Sequence, residues 1–219
     1  MSGADAASRA AADGMALATA VAKVKRHVLP LFVVMFIVNY IDRVNVGFVR
    51  SHLESALHIG AAAYGYGAGL FFIGYAIFEV PSNILLNRYG ARVWLTRIMF
   101  TWGVVAASMA FVTSEASFYL LRFLLGVAEA GFFPGVIFYF TKWLPHAERG
   151  KAVAIFLSGS AIASILSGPV SGALLEIDGL GLEGWQWMFL IEGLASVALC
   201  AFAWVWLDST PREARWLTA

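Results

Sequence analysis

Apolar residues fall into long unbroken runs along this chain, separated by short polar or charged connections. Six runs stand out, at about 28–49, 63–86, 93–112, 116–141, 152–175 and 187–207. Each is near the roughly 20 residues that carry a helix across the hydrocarbon core of a bilayer. A transmembrane barrel would need alternating segments of about 10 residues, whereas these runs are continuous and about twice that length. The pattern predicts an all-α membrane protein with six transmembrane helices over 25–208. An alanine-rich segment, 1–24, reads as a disordered tail, and 209–219 as the start of a loop on the same side.

Composition strengthens this reading and removes others. The 219 residues are 60% hydrophobic and 13% charged, against about 25% charged in soluble domains. A water-soluble enzyme is thereby excluded. With 15 Lys and Arg against 14 Asp and Glu, there is no basic field to attract nucleic acid. The one cysteine, Cys200, lies in an apolar run and has no second cysteine to bridge, so it reads as a small core residue. Neither H-E-x-x-H nor G-x-S-x-G occurs, and His27, His52, His58 and His146 fall in connections or at a span edge. No enzyme, cofactor or metal is expected.

The basic residues give an orientation. The tail carries Arg9, Lys23, Lys25 and Arg26, the second connection Arg88, Arg92 and Arg97, the fourth Lys142, Arg149 and Lys151, and the C-terminal end Arg212 and Arg215. The opposite connections hold Arg50 alone. Basic residues favour the cytoplasmic side, so both termini are expected there. Trp185 and Trp187 open the sixth run and Trp204 and Trp206 close it, as interface anchors do. Gly65 with Gly69, Gly131 with Gly135 and Gly168 with Gly172 form G-x-x-x-G pairs that let helices approach closely. Pro134 and Pro169 lie inside runs and should kink them.

Four ionisable residues break the apolar pattern: Asp42 and Arg43 in the first run, Arg122 and Glu129 in the fourth. Unpaired at the bilayer centre, each would cost roughly 2.5–3.5 kcal/mol, about 10 kcal/mol together. Their charges cancel, which suggests mutual pairing around a polar cavity. Arg122 and Glu129 are two turns apart on one face, about 10.5 Å along the helix, and can share a cavity wall. Tyr40 lies three residues before Arg43, Asn39 shares a face with Asp42 or Arg43, and Asn45 shares that of Asp42. A buried arginine is a natural carboxylate receptor, because its planar fork donates two parallel hydrogen bonds. A buried acid beside it takes up a proton more readily once an anion captures the arginine. Ion pairs that only lock helices together are the alternative. Glu79 and Glu192 read as interface or packing residues, and Tyr75 either serves the cavity with its hydroxyl or fills the core.

The segments NYIDRVNVGF (39–48), FFIGYAIFEVPSN (71–83), LRFLLGVAEAGFFPG (121–135) and GWQWMFLIEG (184–193) resemble the anion:cation symporter family of the major facilitator superfamily, over about residues 25–217. The wording is most similar to the bacterial tartrate-transporter group, with phthalate, hydroxyphenylacetate and sugar-acid permeases as near relatives. The resemblance implies an N-terminal bundle of two three-helix repeats in the inner membrane, alternating access, and proton-coupled uptake of a small organic anion such as a hydroxy-dicarboxylate, at a site near the midplane. It implies substrate contacts from Arg43, Tyr40 and Tyr75, with Arg122 coupled to the glutamate, and proton-coupling acids at Asp42 and Glu129. NRYGARVW (87–94) resembles the cytoplasmic gate motif. Asn87 stands where an acid is usual and Asn83 where glycine is usual, so the gate rests on Arg88 and Arg92. GPVSG (168–172) partly resembles a fifth-helix motif of antiporters. Because the family has two six-helix halves, a second half is expected from the same gene, a separate chain or a second copy. An exchanger or uniporter on the same scaffold, or a non-transporting membrane scaffold, are the rival readings.

Overall fold

A computed structural model describes the backbone of residues 3–218 and the side chains of residues 12–217. Among the described residues the chain is helical throughout, with a lone bridge between Gly179 and Leu182 in a loop and no strands. The helices are α1 (Gly3–Phe48), α2 (Arg50–Leu57), α3 (Ala61–Tyr89), α4 (Ala91–Ser108, continued by a 3-10 turn Met109–Phe111), α5 (Glu115–Glu129), α6 (Phe132–Trp143), α7 (His146–Leu175), α8 (Gly184–Trp206) and the short α9 (Arg215–Thr218). Five segments are long and apolar enough to cross a bilayer: Ala61–Tyr89, Ala91–Phe111, Glu115–Trp143, His146–Leu175 and Gly184–Trp206. The first predicted span is the C-terminal part of α1, packed against α7 and α8.

The dominant helix pairs are α4 with α8, α3 with α5, and α1 with α7. In terms of spans these are third with sixth, second with fourth, and first with fifth. Exchanging spans one to three with four to six turns the last two pairs into each other and leaves the first unchanged. The packing therefore carries the signature of two three-helix repeats.

Glycines set the closest crossings. A methyl group at Gly126 of α5 would stand 2.0 Å from the Phe71 carbonyl oxygen of α3, and one at Gly193 of α8 2.4 Å from the Ala107 nitrogen of α4. Of the glycine pairs expected to mark contacts, Gly131 and Gly135 do so within this chain, against Ser82 and Leu86. Gly65, Gly69, Gly168 and Gly172 have no atom of another helix of this chain within 4 Å of an added methyl group. The four-residue spacing shows that two glycines share a face, and the neighbours decide whether that face meets another helix.

Three expectations about boundaries change. The segment 1–24, read as a disordered tail, is helical from Gly3 and continuous with the first span; residues 1–2 lie outside the described part. Alanine has the best helix propensity, no proline occurs before Pro30, and Val24 is buried while Lys25 pairs with Glu148 of α7. The fourth span, expected as one helix kinked at Pro134, breaks between Glu129 and Phe132, with Gly131 at φ +88°. Pro134 falls in the first turn of α6, where its missing N–H costs nothing. Pro169, by contrast, leaves α7 unbroken. The segment after α8 folds back: the Trp216 Nε1 donates to Asp208 Oδ2 at 2.9 Å and the Tyr139 hydroxyl to the Asp208 carbonyl at 3.0 Å.

Two apolar clusters form the core. One, toward the end of the bundle rich in basic residues, gathers Phe32, Phe36, Phe132, Phe140 and Phe156; the other gathers Val46, Leu53, Phe118, Trp185 and Phe189. Between them along α1, α5 and α8 lie the buried polar residues Asn39, Asp42, Asn45, Arg122, Glu129 and Glu192.

Candidate functional site

This polar layer divides because Asp42 and Arg43 are adjacent on α1 and project about 100° apart. Arg43 turns toward α3 and α5. Its Nη2 donates to Glu129 Oε2 at 2.7 Å, and Asn39 Nδ2, one turn back on α1, donates to the same oxygen at 2.8 Å. Glu129 is wholly buried, and its other oxygen, Oε1, has no partner. Its place at the last turn of α5, beside the helix break, follows from Gly131, whose left-handed backbone lets α5 end there.

Phe71 of α3 brings the second arginine into the same site. The Arg43 guanidinium lies 5.4 Å from the centroids of both Phe71 and Tyr75, and the Arg122 guanidinium lies 4.9 Å from Phe71. Two cations therefore share one aromatic ring, each attracted by its quadrupole. Gly126 makes this possible, since its lack of a side chain lets α5 press onto the Phe71 backbone. Arg122 is 2% exposed, its Nε is unpartnered, and among the described residues it forms no ion pair. Arg43 is 30% exposed and opens the cluster to the surface. Two guanidiniums thus share the Phe71 ring, and of the two Arg43 is the one paired with Glu129.

Asp42 turns the other way, toward α4 and α8. Trp102 Nε1 donates to its Oδ2 at 2.7 Å and Asn45 Nδ2 to its Oδ1 at 3.3 Å. The same Asn45 amide nitrogen donates to Glu192 Oε2 at 2.5 Å. No metal-ligand cluster of His, Cys, Asp and Glu occurs among the described residues.

Comparison with known proteins places this architecture. The family model of the Major Facilitator Superfamily matches residues 32–219. This chain belongs to the Major Facilitator Superfamily. It is 47% identical over 197 residues to a protein of Agrobacterium vitis named "Putative tartrate transporter", covering 90% of this chain and 46% of that one. It is 50% identical over 191 residues to the "Quinolone resistance transporter" of Acinetobacter baumannii, covering 87% and 44%. To the "Inner membrane transport protein RhmT" of Escherichia coli it is 41% identical over 205 residues, covering 93% and 48%. The chain spans about half the length of these relatives. Among solved structures, an inward-facing bacterial homolog of the human lysosomal transporter Spinster superposes with a TM-score of 0.78 at 19% identity, covering 86% of this chain and 44% of that one. The xylose transporter XylE of E. coli gives 0.69 at 17% identity, covering 88% and 49%. These structures share the fold. Membership of this transporter superfamily also excludes the enzyme reading.

Within the major facilitator fold, the residues expected to act together are brought together only in part. Arg43, Tyr75, Arg122 and Glu129 converge, but Glu129 pairs with Arg43 across helices and not with Arg122 on its own. The shared face brings Arg122 and Glu129 to the same side; two turns of separation leave the closer cross-helix arginine to make the contact. Tyr40 lines a neighbouring groove of about 330 Å³ with Val44, Gly47, Phe48, Ser164 and Ser167, between α1 and α7. Asp42 belongs to the second cluster. At the basic end, Arg92 Nε donates to the Trp204 carbonyl at 2.7 Å and stacks 4.8 Å from that ring, tying α4 to α8. Arg88 stacks on its neighbour Tyr89 at 5.7 Å. Asn83 donates to the Glu79 carbonyl within α3.

Phe71, Trp102 and Glu192 are the residues that sequence reasoning undervalued. Phe71 lies one turn before Tyr75, so the helical period could have placed it on the same face. Nothing in the local pattern of Trp102 separates it from the interface tryptophans, and Glu192 gains its meaning only from Asn45, distant in the chain.

Proposed function

We propose that this chain is the N-terminal half of a carrier that moves a small organic anion across the inner membrane by alternating access, in symport with protons. The observation that carries this reading is the pair of guanidiniums on Phe71, the part-buried Arg43 paired with Glu129 and the buried Arg122, which among the described residues has no ion-pair partner. A buried cation without a counter-ion is costly, and a carboxylate ligand offsets that cost with two-pronged, charge-assisted hydrogen bonds. Arg43, Arg122 and the Tyr75 hydroxyl bind the anion, and Tyr40 contributes from the adjoining groove. A tartrate-like hydroxy-dicarboxylate suits two guanidiniums and two phenols, and a tartrate-transporter name among the relatives supports it.

Glu129 and Asp42 carry the coupling. An anion that draws Arg43 away from Glu129 leaves a buried carboxylate without its cation, and protonation then removes the uncompensated charge. Arg88 and Arg92 gate the cytoplasmic side, and both termini are cytoplasmic, in accord with the distribution of basic residues. A second six-helix half, of the kind the relatives' additional length can hold, supplies the opposite wall of the cavity.

The test is uptake of radiolabelled tartrate by the complete two-half carrier in proteoliposomes with an imposed proton gradient. Uptake should be saturable and abolished by an uncoupler, and Arg43→Ala and Arg122→Ala should each abolish it. Unchanged affinity in either variant removes that arginine from the site. Uncoupler-insensitive uptake identifies an exchanger or uniporter instead.

A further inference from the structure

The second polar cluster contains two unpartnered oxygens that face a complementary explanation. Asp42, Asn45 and Glu192 are 1%, 1% and 7% exposed. Asp42 receives a donor on each oxygen, from Trp102 and from Asn45, which is the arrangement an ionised carboxylate requires. Glu192 receives one donor, Asn45 Nδ2 on Oε2, while its Oε1 has none. The remaining atom of the bridge, Asn45 Oδ1, is a buried acceptor with no donor either. Buried polar groups are rarely left so.

We propose that Glu192 is a proton-binding residue, carrying its proton on Oε1 and sharing the buried site with Asp42 through the Asn45 amide. A proton there makes the acid and the amide complementary: Asn45 N–H donates to Oε2, and the new O–H becomes the donor that Asn45 Oδ1 lacks. Release is a simple loss of that proton to solvent, leaving two carboxylates on one amide. Both donors of the Asn45 amide are already engaged, so the second negative charge finds no new partner.

The surroundings favour one proton over two negative charges. Among the described residues neither Asp42 nor Glu192 forms an ion pair. On α1 the adjacent Arg43 is committed to Glu129; on α5 Arg122 lies on Phe71, near enough for its charge to act on Asp42 but without an ion pair to it, and Glu129 adds a further negative charge. On α4 the nearest charged side chain, Arg97, is turned onto Trp94 at 4.1 Å. α7 has no ionisable residue between Lys151 and Glu176. The α4–α8 crossing beside the site is close-packed, since a methyl group at Gly103 or Gly193 would meet backbone atoms at 2.7 or 2.4 Å.

This inference deepens the proton-coupling reading and uses it only to say what the proton is for, because it can be tested without substrate or gradient. The chain, in its complete carrier and in lipid, is stepped from neutral to alkaline pH while infrared difference spectra record protonated carboxyl groups. One protonated-carboxyl band should be lost. It should shift when glutamate side chains carry a 13C carboxyl label in the unmutated protein, vanish from the difference spectrum in Glu192→Gln, and persist in Glu129→Gln. The labelled wild-type protein keeps the test valid if Glu192→Gln fails to fold. A band that moves with labelled aspartate instead places the proton on Asp42 and overturns the assignment. Absence of any band, or its persistence in Glu192→Gln, overturns it as well. Loss of the band with uncoupler-insensitive transport would leave Glu192 a proton site and remove only the coupling.

Discussion

The buried charges of this bundle are arranged by side-chain direction more than by sequence proximity. Asp42 and Arg43 are neighbours in the chain, yet one accepts from Trp102 of α4 and, through Asn45, is linked to Glu192 of α8, while the other pairs with Glu129 of α5 and lies on Phe71 and Tyr75 of α3. Glu129 accepts from Arg43 and Asn39 on one oxygen and leaves the other unpartnered, so it is held in place while keeping capacity for a further bond. A residue that both neutralises Arg43 and can be neutralised by a proton should couple the two ligands. Glu129→Gln, which keeps the shape and loses the charge, is therefore expected to retain exchange of labelled for unlabelled anion and to lose accumulation driven by a proton gradient. Counterflow and gradient-driven uptake on the same proteoliposomes separate the two, and retained accumulation would rule Glu129 out as an essential carrier.

At the scale of elements, function depends on how closely α5 can approach α3. Gly126 and Gly74 remove side chains at that crossing, and the backbone contact at Phe71 brings Arg122 over the ring that Arg43 also uses. The Gly126→Ala methyl would collide with the Phe71 carbonyl, so the helices must separate, at a cost of about 1–3 kcal/mol for overpacking. Gly168→Ala on α7 meets no atom of this chain within 4 Å and should change the stability of this six-helix bundle by no more than about 0.5 kcal/mol. Thermal unfolding in detergent should show a clear drop for the first and almost none for the second, and anion affinity should fall only in the first. Equal behaviour of the two variants would mean that the crossing does not position the site.

On the scale of the whole molecule, the two apolar clusters hold the polar layer between them, and a ladder of rings closes the basic end. His27 of α1 is stacked between Trp206 of α8 and Trp216, at 4.4 and 4.1 Å; Trp216 stacks on Trp143 of α6 at 5.6 Å, and Trp143 on Tyr139 at 5.2 Å. The ladder joins the first, fourth and sixth spans through a residue that follows the last of them. Aromatic contacts of this kind contribute about 0.5–1.5 kcal/mol each beyond burial. Trp216→Ala should accordingly free the segment 208–217, seen as faster amide hydrogen exchange there with the spans unchanged. Unaltered exchange in that segment would show that Asp208 and its neighbours hold it without the ladder.

Much of this was legible in the chain itself. Continuous apolar runs of about twenty residues dictate membrane-spanning helices, because a backbone in lipid must satisfy its own hydrogen bonds. Charges within such runs are too costly to be incidental, so Asp42, Arg43, Arg122 and Glu129 were recognisable as the polar core, and the motifs around them pointed to the family. Partner choice was not legible. Arg122 and Glu129 share a helix face, but Glu129 pairs with Arg43, since the contact is set by the distance between helices and not by spacing within one. Likewise the glycine pairs at 65 and 69 and at 168 and 172 have the spacing of a packing motif but meet no helix of this chain, while Gly126 and Gly193 mark the closest crossings within it. The helical period defines which residues share a face; only the packed bundle decides what that face meets, and hence that Phe71 gathers two arginines and Asn45 joins two acids.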